Sequence, residues 1–150
     1  MAGFPDPEPG LVISYAYLWS DEAESGAVEG RKDRPCAVVL ALEHPGDGPR
    51  TQVAVVPITH TPPSDPNVAV EIPTGVKRHL GLDGERSWVI LDESNVFFWP
   101  GYDLRPISRG DSRVDYGLLP PKFFDQLIAK VDELERDGAV EHVSRDEQTP

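Results

Sequence analysis

At 150 residues the chain has room for one domain with a real core, and not comfortably for two. Its 16 prolines and 13 glycines argue against a helical bundle and favour short strands joined by many turns. A formal charge of −12 works against nucleic-acid binding unless one face is locally basic.

Residues 1–9 hold Pro5, Pro7 and Pro9 with Asp6 and Glu8, and they read as a flexible lead-in rather than a secretory signal. The run LVISYAYLW at 11–19 is β-branched and aromatic and predicts a strand. Residues 20–33 are polar and acid-rich and predict a long exposed loop. CAVVLAL at 36–42 and QVAVVPIT at 52–59, separated by HPGDGPR, predict two buried strands of a hairpin. Pro57 is expected to end its ladder or sit at an edge.

VAVEIP at 68–73 alternates as a half-buried strand does, and VKRHLGL at 76–82 predicts a short helical turn closed near Gly81. SWVILDE at 87–93 is a further strand, continued past a bend by Asn95 to Trp99. Beyond Pro120, Phe124, Leu127, Ile128, Val131 and Leu134 recur at helical spacing, with Gly138 as the stop. Residues 138–150 are read as a flexible, frayed tail. The expected fold class is therefore mainly β with a C-terminal α-helix: five or so short strands in a small, partly closed barrel over 10–137.

Cys36 is a lone cysteine, which rules out a disulfide framework and a Cys-rich zinc site, and it reads as a small buried hydrophobe. His44, His60, His79 and His142 show no metal-ligand spacing, so no metal and no cofactor are expected. No apolar run approaches 18 residues, so the expectation is a cytoplasmic protein that does not cross a membrane.

Two segments carry candidate chemistry. Arg34 stands at the entrance of a strand, where a guanidinium can grip a phosphate through two parallel hydrogen bonds. Arg31 and Lys32 beside it form a locally basic lip for substrate. Thr59, His60 and Thr61 close the next strand with two hydroxyls and a ring that titrates near neutrality. Antiparallel pairing of the two strands brings Arg34 and Thr59 to the same sheet edge. Asp92 and Glu93 are adjacent and are expected to face apart rather than form a dyad. Trp88, Phe97, Phe98, Trp99 and Tyr102 suit core packing or a subunit interface, and also base stacking.

The order Pro9-Gly10-Leu11-Val12-Ile13, then Arg34-Pro35-Cys36-Ala37-Val38-Val39-Leu40, then Val55-Val56-Pro57-Ile58-Thr59, resembles the MazF/PemK family of growth-inhibitor toxins. The segment Trp88–Val96 resembles that family's final strands, so the likeness spans about residues 9–135. The resemblance implies a bacterial type II toxin–antitoxin protein with an SH3-like barrel. It also implies a homodimer, and a cognate antitoxin that neutralises it. The implied activity is a sequence-selective, metal-independent endoribonuclease acting on single-stranded RNA such as mRNA. Attack by a ribose 2′-hydroxyl leaves a cyclic phosphate, with Arg34 and Thr59 at the site. His60 is a candidate acid or base by its chemistry alone. The alternatives are a non-catalytic PemK-like protein-binding module and an assembly role for the aromatic region.

Overall fold

Two apolar runs that are hydrophobic at nearly every position need cover on both faces; the run at 52–59 receives it from Val53 to Ile58, whereas the run at 36–42 receives it only as far as Val38 and leaves Leu40 and Leu42 exposed. The structure, a computed structural model, describes residues 4–27, 32–46 and 48–145. In chain order the elements are β1 (Leu11–Tyr15), α1 (Ser20–Glu24), β2 (Arg34–His44), β3 (Arg50–Thr59), β4 (Ala69–Glu71) and α2 (Thr74–Leu80). They continue with β5 (Trp88–Ile90), β6 (Glu93–Phe98), β7 (Asp115–Leu118), α3 (Pro121–Arg136) and β8 (Glu141–Ser144). The strands form one sheet in the order β4-β5-β3-β2-β1-β7, with β6 added to β3 and β8 to β6. All pairings are antiparallel except β6 with β8. The sheet does not close: β4 and β7 end the path without pairing with each other.

Alternation along each strand divides the core. Val12, Ala37, Val56 and Ile58 face one cluster, which α3 completes with Phe123, Leu127 and Leu134. Leu11, Ile13, Cys36, Val38, Val53 and Val55 face a second cluster with Tyr15, Tyr17 and Phe97. Tyr15 stacks on Phe97 at 4.8 Å between ring centroids. Two packed faces explain why these strands read as continuous apolar runs rather than alternating ones. Burial of Cys36 in the second cluster drives its thiol pKa up and leaves it a poor nucleophile.

The two helices expected from the sequence form. Gly81 closes α2 at φ 73°, and Gly138 follows α3 at φ 67°, a left-handed conformation that side-chain-bearing residues rarely adopt. Pro121 opens α3, where its missing N–H costs nothing. The predicted hairpin is β2 with β3, with Cys36 opposite Pro57 and His44 opposite Arg50.

Several expectations are corrected. Pro57 does not end β3 or sit at its edge, but it does fall at a ladder break, between the β6 pairing that stops at Val55 and the β5 pairing that starts at Ile58. The acidic loop at 20–33 begins as helix α1, because Glu22 accepts the Trp19 N–H and closes its first turn. The single strand expected from Ser87 to Trp99 is two, β5 and β6, with different partners. β7 was not foreseen. The tail expected to be flexible over 138–150 contains β8, whose Glu141–Ser144 backbone pairs with Glu93–Val96. Tertiary partners recruit that strand: Arg145 N–H donates to the Val96 carbonyl, a contact that polar composition cannot announce. Residues 146–150, and 1–3 of the lead-in, lie outside the described residues.

Candidate functional site

Arg34 opens β2 and Thr59 closes β3. Continuing the register beyond Cys36 and Pro57 sets Arg34 opposite Thr59, as the antiparallel argument requires. Arg34 Nη1 donates to the Ile58 carbonyl at 3.4 Å, and its Nε is buried with no partner among the described residues. Its guanidinium also lies 5.1 Å from the centre of the Trp19 ring.

Trp19 is placed by a backbone clamp. The buried Asn95 side chain accepts the Leu18 N–H at 2.9 Å and donates to the Leu18 carbonyl at 2.7 Å. Arg145 then donates to Asn95 Oδ1 and to the Ala16 carbonyl, at 2.9 and 2.7 Å, and pairs with Asp103 at 3.0 Å. An asparagine inside an apolar strand carries such obligations because its amide must be satisfied when buried.

Four depressions meet at Arg34. The largest, about 670 Å³, is lined by Trp19, Asp21, Glu22, Lys32 and Glu93. A second, of about 380 Å³, holds Lys32, Thr59, His60 and Asp83. A third, of about 390 Å³, holds Trp19, Thr59, Thr61, Asp65 and Asp92. The fourth, about 450 Å³, reaches Ser14, Arg109 and Tyr116. Lys32, Arg34, Thr59, His60 and Thr61 are thus brought together around one rim, whereas Arg31 lies outside the described residues.

Thr61 N–H donates to Thr59 Oγ1 at 3.1 Å, which leaves the Thr59 hydroxyl hydrogen to donate elsewhere. His60 is held at both ring nitrogens: Nδ1 meets the Arg86 carbonyl at 2.9 Å and Nε2 meets Asp83 Oδ2 at 2.9 Å. A carbonyl and a carboxylate only accept, so both nitrogens must carry protons to satisfy them. The bond to the Arg86 carbonyl is the largest cause that raises the His60 pKa; desolvation opposes it, and Asp83 adds to the rise. His60, Asp83 and Glu85 place ligand atoms within 4.8 Å of one another, but all three are exposed, and the His60 nitrogens are already committed.

Asp92 and Glu93 face different depressions, as expected of neighbours that are not a dyad. Burial raises the pKa of both. For Glu93 the effect is opposed by hydrogen bonds from Ser20 N–H at 2.9 Å and from the Tyr17 hydroxyl at 3.1 Å. Tyr17, Trp19 and Ser20 were not singled out from the sequence, because their part depends on the Asn95 clamp. The aromatic region divides: Phe97 and Trp88 are buried, Phe98 lies under Arg50, and Tyr102 is 96% exposed.

No helix among the described residues is long and apolar enough to cross a membrane. No family model, no curated protein and no solved structure matches this chain.

Proposed function

We propose that this chain is a MazF/PemK-like endoribonuclease on an SH3-like barrel, acting on single-stranded RNA at the Arg34 rim. One observation carries the reading: the β2–β3 register puts a partly unsatisfied guanidinium and a free-donating threonine hydroxyl at one sheet edge. In this reading Arg34 stabilises the charge that builds on the phosphorane, since guanidinium stays protonated. Thr59 donates to a nonbridging oxygen. His60, with both nitrogens already donating, adds positive charge and does not take the proton.

The base is Asp92. It lines the same depression as Arg34 and Thr59, where its carboxylate can accept a proton, and burial raises its pKa above the ordinary carboxylate value. It takes the 2′-hydroxyl proton as the 2′-oxygen bonds to phosphorus and the 5′-oxygen departs. Need for the 2′-hydroxyl confines the reaction to RNA. A second copy of the chain and an antitoxin are the partners this reading implies.

The test is incubation with a mixed single-stranded RNA pool in excess chelator. Cyclic-phosphate ends that vanish in Arg34→Ala and Asp92→Asn, and persist in His60→Ala, support the assignment. Absence of cleavage favours a protein-binding module instead. Asp21, Glu22 and Glu93 along the largest depression suit a basic partner segment.

A further inference from the structure

On the opposite side of β6 from the Asn95 clamp, a serine, a histidine and a glutamate are connected in series. Ser94 Oγ lies 2.6 Å from His142 Nδ1, and His142 Nε2 lies 3.1 Å from Glu135 Oε2. The parallel register of β6 with β8 sets Ser94 beside His142, and the last turn of α3 supplies Glu135. The carboxylate can only accept, so in the neutral ring it holds the proton on Nε2 and leaves the Nδ1 lone pair facing the serine hydroxyl. That is the order nucleophile, base, orienting acid, a pattern defined by geometry and role rather than by position in the chain.

All three residues line one cavity of about 260 Å³ between α3 and the sheet. Its other walls are mostly apolar, with Val39, Leu40, Val56, Ile128, Val131 and Val140, and the Asp132 carboxylate also lines it. A register shift between Val38 and Leu40 bulges β2 here, and Leu40 remains 48% exposed at the mouth. Ser94 is only 2% exposed, so its oxygen is reached from the cavity, while His142 and Glu135 are about half open to water. A small apolar chamber ending on a hydroxyl, with solvent at the base, fits a short acyl chain better than a charged ligand.

We propose that Ser94, His142 and Glu135 form a second active site that hydrolyses esters of short-chain carboxylic acids, independently of the Arg34 rim. The acyl chain occupies the apolar chamber and the alcohol portion faces solvent. Ser94 Oγ bonds to the carbonyl carbon as its proton passes to His142 Nδ1. The carbon–alkoxy bond then breaks, and that proton leaves with the alcohol. Water next gives a proton to Nδ1 and bonds to the acyl carbon. Breaking of the Oγ–acyl bond returns the proton to Ser94 and releases the acid. Glu135 touches no substrate; it is a positioning residue that holds the ring and its transient positive charge.

The experiment uses p-nitrophenyl butyrate and a fluorophosphonate, with the labelled residue identified by peptide mass spectrometry. The expected result is a phosphonate adduct on Ser94 and butyrate turnover at least about tenfold above Ser94→Ala. Glu135→Gln should lower kcat more than it changes KM. Leu40→Trp, which blocks the chamber at an exposed position, should suppress butyrate turnover and spare acetate. A folded protein that takes no phosphonate on Ser94, or that turns over butyrate equally as Ser94→Ala, overturns the proposal.

Discussion

His60 and His142 sit in regions that look alike until their third partners are compared. Each ring bonds through both nitrogens, each meets a carboxylate, and the two side chains are 47% and 45% exposed. His60 has a backbone carbonyl on its other side, whereas His142 has a hydroxyl. A carbonyl demands a proton and fixes a cation; a hydroxyl can supply one and leaves a base. The same residue type is therefore an electrostatic fixture at the Arg34 rim and a proton acceptor at the β6–β8 seam. Exposure and the neighbouring acid alone do not tell these roles apart.

The contrast can be broken most severely by removing the tie between the regions. Arg145→Ala leaves the largely buried Asp103 without its cation and removes the ties to Asn95 and Ala16, and should cost about 3 kcal/mol in urea unfolding; a loss under about 1 kcal/mol would show that the clamp is not a shared support. Next, Arg34→Ala should lower RNA cleavage about a hundredfold, the effect of deleting one donor to a developing oxyanion. Butyrate hydrolysis should be unchanged in that variant, and a parallel loss of both activities would merge the two sites. Asp83→Asn should bring the His60 titration down toward its ordinary 6.5, followed by NMR, with RNA cleavage altered less than about threefold.

The smallest expected effect is on stability against pH. Because folding raises the His60 pKa, its stabilisation is complete below 6.5 and is lost as pH rises through the raised value. His60→Gln should remove that decline with pH from the unfolding curve. A decline of equal size in the variant would assign it to another group.

Much of the frame was legible because hydrophobic pattern and turn chemistry act locally. The β2–β3 hairpin, the α2 turn at Gly81 and the α3 stripe follow from spacing, and the convergence of Arg34 with Thr59 follows from antiparallel pairing. What escaped was whatever depends on distant partners. Glu141–Ser144 is too polar to read as a strand and becomes one because β6 offers it an edge. Asn95 sat in plain view inside SNVFF, and a buried amide in an apolar run is a signal that it must bond elsewhere. Nothing in the spacing says that Leu18 is its partner. Ser94, His142 and Glu135 were invisible for the same reason: two strands and a helix must assemble before they meet.

The pairing of distant segments also bears on how the molecule comes into being. Leu11 is matched with Leu118, and Ser94 with His142, so key strand contacts close very large loops. Chains with such pairings refold slowly, on the order of milliseconds to seconds, because loop closure precedes any reward. During synthesis the segment that carries Trp19 stays untethered on one side until Arg145 has been made and has reached Ala16 and Asn95. The Trp19 side of the Arg34 rim is thus completed only when the Arg145 segment has joined β6, which ties the geometry of the rim to the β6–β8 seam.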